Sequence, residues 1–353
     1  MNLHHLSCWY LGPNLSLGSA GGLLVPSRHP LLLGFFLLPS YGANPTTQPL
    51  PRFLSVSSEG TELEEGIWGN LDESLSFLDQ PVIVVSSCKG FLLCVTNQED
   101  NMTYIICNPV TTEFCVLPKT HKAHRRVVIA FICKGDDIAL NGRNHFEIVR
   151  VGIPNPRELF TTLEMETFSS TSGEWMESTL NFDSPISLVT ANLPALVIDD
   201  VIYWKTWHYS VVAYDHTRAS VEVIEFPVNN LQRPVCWSDK LSVSEGKIHY
   251  CISNRLTIDV WMIADIQRRE WILRHRVSFR EMFQMNPDVV CPSPALIFVQ
   301  RMHTQNSKLL LLFFFDVPYW YNLENKKLSR IYCRTGSSLF KSLPYEWPSD
   351  QFA

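Results

Sequence analysis

The sequence predicts an all-β protein, an irregular β-propeller of six or seven blades built from four-stranded antiparallel meanders. From about Leu75 onward, short runs of β-branched, aromatic and aliphatic residues are separated by turn residues at roughly 8- to 12-residue intervals. Long amphipathic helical periods are absent from the sequence. The runs group into units that recur along the chain, and repetition of a four-stranded unit is typical of propellers.

The stretch from Ala195 to Pro227 shows one such unit most clearly. Its predicted parts, in order, are a strand at 195–198, a turn at Asp199-Asp200, a strand at 201–204, a loop tip at Trp207-His208-Tyr209, a strand at 210–214, a turn at 215–219 and a strand at 221–226. Short turns between successive strands predict one antiparallel sheet. Because a single sheet leaves both of its faces uncovered, further units must pack against it.

Four other segments show the same pattern, namely 82–118, 127–178, 241–275 and 295–331. A large residue early in each last strand recurs about every 50 residues, close to the spacing of propeller blades. These residues are Phe114, Trp175, Val221, Trp271 and Leu328. Strands left over near 30–56 and at the C-terminus predict a ring closed from both ends. Two stacked β-sandwiches are the alternative, but sandwiches favour crossing connections.

The charge of the chain argues against two classes of binding partner, nucleic acids and anionic membranes. The 353 residues carry a formal net charge of −6, and only 18% are charged against 46% hydrophobic. Bulk charge of this sign holds a protein on neither nucleic acid nor an anionic membrane, so we expect no partner of either kind. Length alone suggests two domains, whereas the repeats predict one ring.

The cysteines and the N-terminus indicate a reducing compartment. The ten cysteines are scattered through apolar runs without the two-residue spacing of a zinc or redox knuckle, which favours unpaired thiols over disulfides. No Lys or Arg precedes Arg28, so the charged region of a secretory signal is missing. The apolar stretch 31–38 is too short to cross a bilayer. We expect a cytoplasmic or nuclear protein.

Two motifs resemble the plant F-box-associated domain. They are Val-Val-Ser-Ser-Cys-Lys-Gly-Phe-Leu-Leu-Cys at 84–94 and Ile-Cys-Asn-Pro-Val-Thr-Thr-Glu-Phe at 106–114, the latter followed by Leu117-Pro118. Weaker matches extend the resemblance over roughly 30–345, for example at 168–175 and 201–204. The resemblance implies a kelch-like β-propeller that recognises a protein substrate for ubiquitination. In that family an N-terminal F-box docks to a Skp-type adaptor of a cullin ubiquitin ligase.

The N-terminus departs from this family pattern. Residues 1–28 hold four glycines and two prolines, which disfavour the helices of an F-box. We expect a weakly structured lead-in without an intact F-box at 1–28, the F-box-associated propeller at 29–345 and a tail at 346–353. A missing F-box speaks against docking to a Skp-type adaptor and leaves an unknown protein substrate as the expected partner.

Motifs of catalysis and metal binding are lacking in the sequence. It has no Gly-x-Ser-x-Gly elbow, no phosphate-binding Gly-rich loop and no His-Glu-x-x-His. His121 and His124 lie three residues apart without further ligands near them in sequence. We therefore expect no catalytic, cofactor-binding or metal-binding residues. A propeller glycosidase or hydrolase is the alternative, and it would need paired carboxylates about 5 to 10 Å apart. A truncated gene product without an independent role is the third possibility.

The geometry of a meander blade predicts where a partner binds. Loops between second and third strands share one face of the ring with the links between blades. The tip at 207–209, the basic link at 119–126, Pro318-Tyr319 and the acidic loop at 98–100 should all lie there. Aromatic residues and arginine are enriched at interface centres. The predicted partner-binding residues are Trp207, His208, Tyr209, Lys122, Arg125, Arg126 and Tyr319.

Overall fold

The structure is a computed structural model that describes most of the chain from residue 31 to residue 347. The described ranges are 31–38, 52–55, 71–72, 74–96, 102–124, 126–134, 145–155, 158–189, 195–227, 238–254, 256–266, 268–291, 293–314, 317–331 and 341–347. The predicted lead-in at 1–28 and most of the predicted tail at 346–353 lie outside these ranges. The division into lead-in, propeller and tail stays a prediction.

Nearly all regular structure in these ranges is β-strand. The chain begins with β1 (Leu31–Leu38) and β2 (Arg52–Ser55). Blade 1 follows with β3 (Val82–Cys88), β4 (Phe91–Thr96), β5 (Tyr104–Asn108) and β6 (Glu113–Val116). Blade 2 contains β7 (Val127–Lys134), β8 (His145–Gly152), β9 (Phe160–Ser169) and β10 (Glu174–Ile186). Blade 3 contains β11 (Leu196–Ile198), β12 (Val201–Lys205), β13 (Ser210–Asp215) and β14 (Ser220–Glu225).

The second half of the chain repeats this plan. Blade 4 contains β15 (Ser238–Ser244), β16 (Lys247–Ser253), β17 (Thr257–Asp265) and β18 (Glu270–Ser278). A short helix, α1 (Phe279–Met285), and a single 3-10 turn (Pro294–Leu296) lead to blade 5. Blade 5 contains β19 (Ile297–His303), β20 (Asn306–Phe314), β21 (Val317–Asn322) and β22 (Leu328–Arg330), and β23 (Lys341–Trp347) follows it.

Each blade is an antiparallel meander whose strands pair in sequence order. The prediction of an all-β propeller built from four-stranded meanders is therefore confirmed. The prediction of six or seven blades is wrong, because the described chain has five. The leftover strands at the two ends do not build further four-stranded blades. Instead β1 pairs with both β2 and β23 in one three-stranded sheet, in which Phe36 lies opposite Phe53 on one side and Leu343 on the other.

The first strand of each blade lies at the centre of the ring, and these strands together form the inner wall of the ring. β3 contacts β7, β7 contacts β11, β11 contacts β15 and β15 contacts β19. β23 contacts β3, so the three-stranded sheet lies beside blade 1. Ser87 of β3 donates a hydrogen bond from its hydroxyl to the carbonyl oxygen of Pro344 of β23. The N- and C-terminal strands thus take part together in the inner wall.

Local turn chemistry explains the hairpins. Two-residue turns join first to second strands at Lys89-Gly90, Asp199-Asp200 and Glu245-Gly246, and all six residues have positive φ angles, between 45° and 82°. Such turns match the twist of antiparallel strands, and glycine, aspartate and asparagine accept that backbone most readily. The turn at Asp199-Asp200 lies at the residues that the sequence predicted.

Apolar layers between neighbouring blades form the core. Between blades 3 and 4, for example, the rings of Phe226 and Tyr250 stack with centroids 3.9 Å apart. Two tryptophans at equivalent positions of blades 2 and 4 also join neighbouring blades by a hydrogen bond each. The indole nitrogens of Trp175 and Trp271 each donate a 2.9 Å hydrogen bond to a carbonyl at the end of the preceding blade, that of Pro118 and of Glu225 respectively. Packing on both faces of every blade accounts for the low fraction of charged residues.

Candidate partner-recognition face

The meander topology divides the loops between two ends of the ring. Because strands alternate in direction, first-to-second and third-to-fourth turns share one end, here called the turn face. The other end, the linker face, carries the links between blades and the second-to-third loops, including 158–159 of blade 2, 206–209 of blade 3 and 256 of blade 4. Hydrogen bonds between links and loops support this division. Trp207 N donates to Ser187 O of the preceding link at 3.0 Å, and Ile153 N donates to Arg126 O at 2.9 Å.

The loop tip of blade 3 is built around Thr206. Its hydroxyl oxygen accepts hydrogen bonds from the backbone N–H groups of His208 and Ser210, both at 3.2 Å. Tyr209 has a φ of 63°, and its side chain packs against the core between blades 3 and 4. Trp207, at 53% exposure, and His208 are exposed. Of the three predicted tip residues, two therefore lie at the surface and one belongs to the packing.

A buried ion pair anchors the link between blades 1 and 2. Arg150 of β8 and Glu166 of β9 bond to each other with both side chains almost fully buried. Glu166 Oε1 also accepts hydrogen bonds from the backbone N–H groups of His121 at 2.8 Å and Lys122 at 3.2 Å. Arg150 donates to the carbonyl oxygen of Lys122 at 3.0 Å. These hydrogen bonds to its backbone therefore hold the link at residues 121–122 against blade 2.

Acidic residues of blade 2 lie beside part of the predicted basic stretch. Lys122 Nζ lies 2.7 Å from Glu164 Oε1 and 3.5 Å from Glu177 Oε2. His124 Nε2 lies 3.3 Å from Glu164 Oε2, and His121 Nδ1 lies 3.5 Å from Glu177 Oε1. The hydrogen bond from Lys122 lowers the pKa of Glu164 despite partial desolvation. Lys122 is therefore paired with two carboxylates, and the two histidines lie within reach of the same carboxylates.

The remaining predicted residues have different settings. Arg126 is exposed at the end of the same link, whereas Arg125 lies outside the described ranges, as does the predicted acidic loop at 98–100. Tyr319 is on β21 of blade 5, where its ring lies 4.8 Å from that of Phe314 and packs against the core between blades 4 and 5. The predicted residues thus fall in three separate places around the ring, at the first link, in blade 3 and in blade 5.

Two exposed leucines that sequence reasoning missed lie in the loops of blades 2 and 4 that are equivalent to the loop tip of blade 3. Leu159 is 51% exposed in the second-to-third loop of blade 2, and Leu256 is 74% exposed in that of blade 4. Trp207 occupies the equivalent loop between them. Three consecutive blades therefore each present one large apolar side chain on the linker face. A single leucine before a strand looks like the strand's first residue, so only its position in a repeated loop could have revealed it.

Six other large apolar side chains in the described ranges are exposed. Four belong to last strands, and two belong to the link between blades 4 and 5, which is part of the linker face. They are Phe114, Val116, Met176, Ile272, Met285 and Val290. Because none of the exposed apolar residues in the described ranges lies in a turn of the turn face, the two ends of the ring differ.

Neither a metal-binding group nor a helix that could cross a membrane is found in the part of the chain described. Its His, Cys, Asp and Glu residues form no group of three or more that could hold a metal ion. Its helix α1 has seven residues, and no helix within those ranges has the length and apolar character that a bilayer crossing requires.

Five four-stranded meanders arranged around a common centre define the protein as a β-propeller. Its linker face carries exposed apolar side chains on equivalent loops. Residues 72–314 match the family model described as F-box protein At3g26010-like, beta-propeller, and the chain belongs to this family. It is also 24% identical over 322 residues to F-box protein At5g03970 of Arabidopsis thaliana. That match covers 88% of this chain and 68% of the relative. The resemblance to plant F-box-associated proteins is confirmed.

Solved structures show a more distant likeness. BBS1N in complex with ARL6DN matches at 9% identity and a TM-score of 0.34, covering 72% of this chain and 67% of that one. A structural genomics protein of unknown function from Bacteroides thetaiotaomicron matches at 10% identity and a TM-score of 0.38, covering 75% of this chain and 62% of that one. The chain thus spans less than two thirds of the second structure. At these TM-scores neither likeness carries an argument about fold or function.

Proposed function

We propose that the chain is a non-enzymatic recognition domain that binds a protein substrate for a cullin-type ubiquitin ligase, through the linker face. One observation carries the proposal, the row of Leu159, Trp207 and Leu256 on equivalent loops of three consecutive blades. Large apolar and aromatic side chains that remain exposed on a folded domain mark interaction sites, and such residues contribute most of the binding energy of protein interfaces.

Charge favours a protein partner over a nucleic acid. The net charge is −6, and Lys122 of the basic link on the same face is paired with Glu164 and Glu177. Binding to a phosphate backbone requires unpaired Lys and Arg whose counterions are released.

The carboxylates of blade 2 do not suit the glycosidase alternative. A general acid for glycoside hydrolysis needs a raised pKa and a clear approach to substrate. Glu166 is buried against Arg150, and Lys122 lowers the pKa of Glu164. These contacts support a structural role for both carboxylates and a domain without catalysis of its own.

The F-box family supports a place in a ubiquitin ligase, in the cytoplasm or nucleus. We infer that the propeller captures the substrate and does not itself dock to a Skp-type adaptor. Co-purification of the full chain with a purified Skp-type adaptor tests the second point. A stoichiometric complex would contradict it while leaving substrate capture by the linker face intact.

Substrate capture is tested by a surface variant with a matched control. The variant replaces Leu159 and Leu256 by serine and Trp207 by alanine. The control replaces Met176 and Ile272, which are similarly exposed on last strands, by serine. Proteins captured by the full chain from plant cell extract are quantified by mass spectrometry.

We expect the linker-face variant to lose the enriched partners at least about tenfold, because losing 1.4 kcal/mol of binding energy weakens affinity tenfold. The control should retain them. Equal capture by all three proteins would contradict the assignment of the linker face. Loss in the control alone would place recognition on the outer strands.

A further inference from the structure

Two cysteines of neighbouring blades meet in the inner wall of the ring. Cys88 ends β3 of blade 1, and Cys133 is the penultimate residue of β7 of blade 2. The thiol of Cys133 donates to the carbonyl oxygen of Cys88 at an S···O distance of 3.6 Å, so its sulfur lies directly beside Cys88. The residues are about 45 positions apart in sequence, so only the packing of blade 1 against blade 2 brings them together.

The environment makes the two thiols unequal. The hydrogen bond from Cys133 lowers the pKa of Cys88, with help from the charge of Lys89 and against desolvation and the charge of Glu346. Burial, followed by the interaction with Cys88, raises the pKa of Cys133 well above its ordinary value. A thiolate is the nucleophilic form of cysteine, so Cys88 is the thiol that reacts first and Cys133 the one that resolves it.

Backbone geometry and exposure both suit this chemistry. The two-residue turn Lys89-Gly90, with φ angles of 45° and 82°, fixes the end of β3 and with it Cys88. Both residues keep part of their surface exposed to solvent, although their thiols are desolvated. A second close pair provides an internal comparison. The sulfurs of Cys94 and Cys107 lie 3.9 Å apart, but both residues are completely buried in blade 1.

We propose that Cys88 and Cys133 form an oxidation site, at which a peroxide converts the two thiols into a disulfide that joins blades 1 and 2. The Cys88 thiolate attacks one peroxide oxygen, the O–O bond breaks, and a sulfenic acid and hydroxide form. Cys133 gives its proton to that hydroxide and attacks the Cys88 sulfur. The S–S bond forms, the S–O bond breaks, and the hydroxide that leaves takes up the proton lost by Cys88. Two thiols and one hydrogen peroxide thus yield one disulfide and two waters.

Peptide mapping of the full chain tests the proposal. The reduced protein is treated with hydrogen peroxide, denatured with an alkylating reagent present and digested with trypsin. Cleavage after Arg52, Lys89, Lys119, Arg126 and Lys134 separates Cys88 on peptide 53–89 from Cys133 on peptide 127–134. It leaves Cys94 and Cys107, together with the buried Cys115, on peptide 90–119. We expect peptides 53–89 and 127–134 to be linked, with loss of two hydrogens. Oxidation of peptide 90–119 should be at least about tenfold slower, because reaction requires an accessible thiolate.

Two variants separate the roles of the thiols. In Cys133→Ser, Cys88 should accumulate as a sulfenic acid that dimedone labels, and no linked peptide should form. In Cys88→Ser, Cys133 should react at least about tenfold more slowly than Cys88 does in the native chain. Mapping of the native chain needs neither variant to fold. Absence of the linked peptide, or oxidation of peptide 90–119 at an equal rate, would overturn the proposal.

Discussion

Replacement of Glu166 by glutamine tests whether the buried ion pair holds the first link in place. The substitution keeps the size of the side chain but removes its charge, and it leaves the guanidinium of Arg150 buried without a counter-charge. Removing one partner of a buried pair costs about 3 to 5 kcal/mol. For a chain of this length that loss lowers the melting temperature by about 4 to 7 °C. The two link N–H groups also lose a charged acceptor.

Urea denaturation followed by circular dichroism measures the loss of stability, and limited tryptic digestion at Lys119, Lys122 and Arg126 measures release of the link. The control is Glu164→Gln, whose side chain is exposed and should change stability little. The double variant with Arg150→Met should cost less than the sum of its single changes, because no charge is then left unpaired. A loss below about 1 kcal/mol in Glu166→Gln would refute the reasoning, since the pair would then not determine the path of the link.

Three further predictions concern the blades. In Gly152→Ala the new Cβ would lie 2.5 Å from the ring of His124, so this variant should be destabilised by about 1 to 3 kcal/mol in urea denaturation. Unchanged stability would contradict this close packing. Burial lowers the pKa of His303 to about 4, so stability should fall as pH drops from about 6.5 towards 4, and thermal melts of His303→Gln should show a smaller fall. Protonation would break the bond that His303 Nδ1 accepts from Gln305 N, and equal pH profiles would exclude this role. Trp175→Phe should cost about 1 to 3 kcal/mol, because a carbonyl loses its donor, and a neutral effect on the urea midpoint would argue against that hydrogen bond.

The candidate site shows where sequence reasoning succeeds and where it stops. Trp207 and His208 were predicted at a loop tip and lie exposed at one, because a short turn between two apolar runs is a local feature. The same reasoning predicted a basic patch around Lys122. That residue lies beside Glu164 and Glu177, more than 40 positions further along the chain, and no local pattern signals such a pairing.

The sequence by itself determined the strands, the tight turns and the four-stranded repeat, because alternation and turn chemistry act between near neighbours. Only the tertiary structure decided the number of blades. That number depends on whether β1 and β23, some 300 residues apart, pair with each other or build separate sheets. The tertiary structure also decided which exposed leucines share a face with Trp207, and which of the cysteines meet across two blades. These are contacts between distant residues, set by how the blades pack around the ring rather than by any local preference.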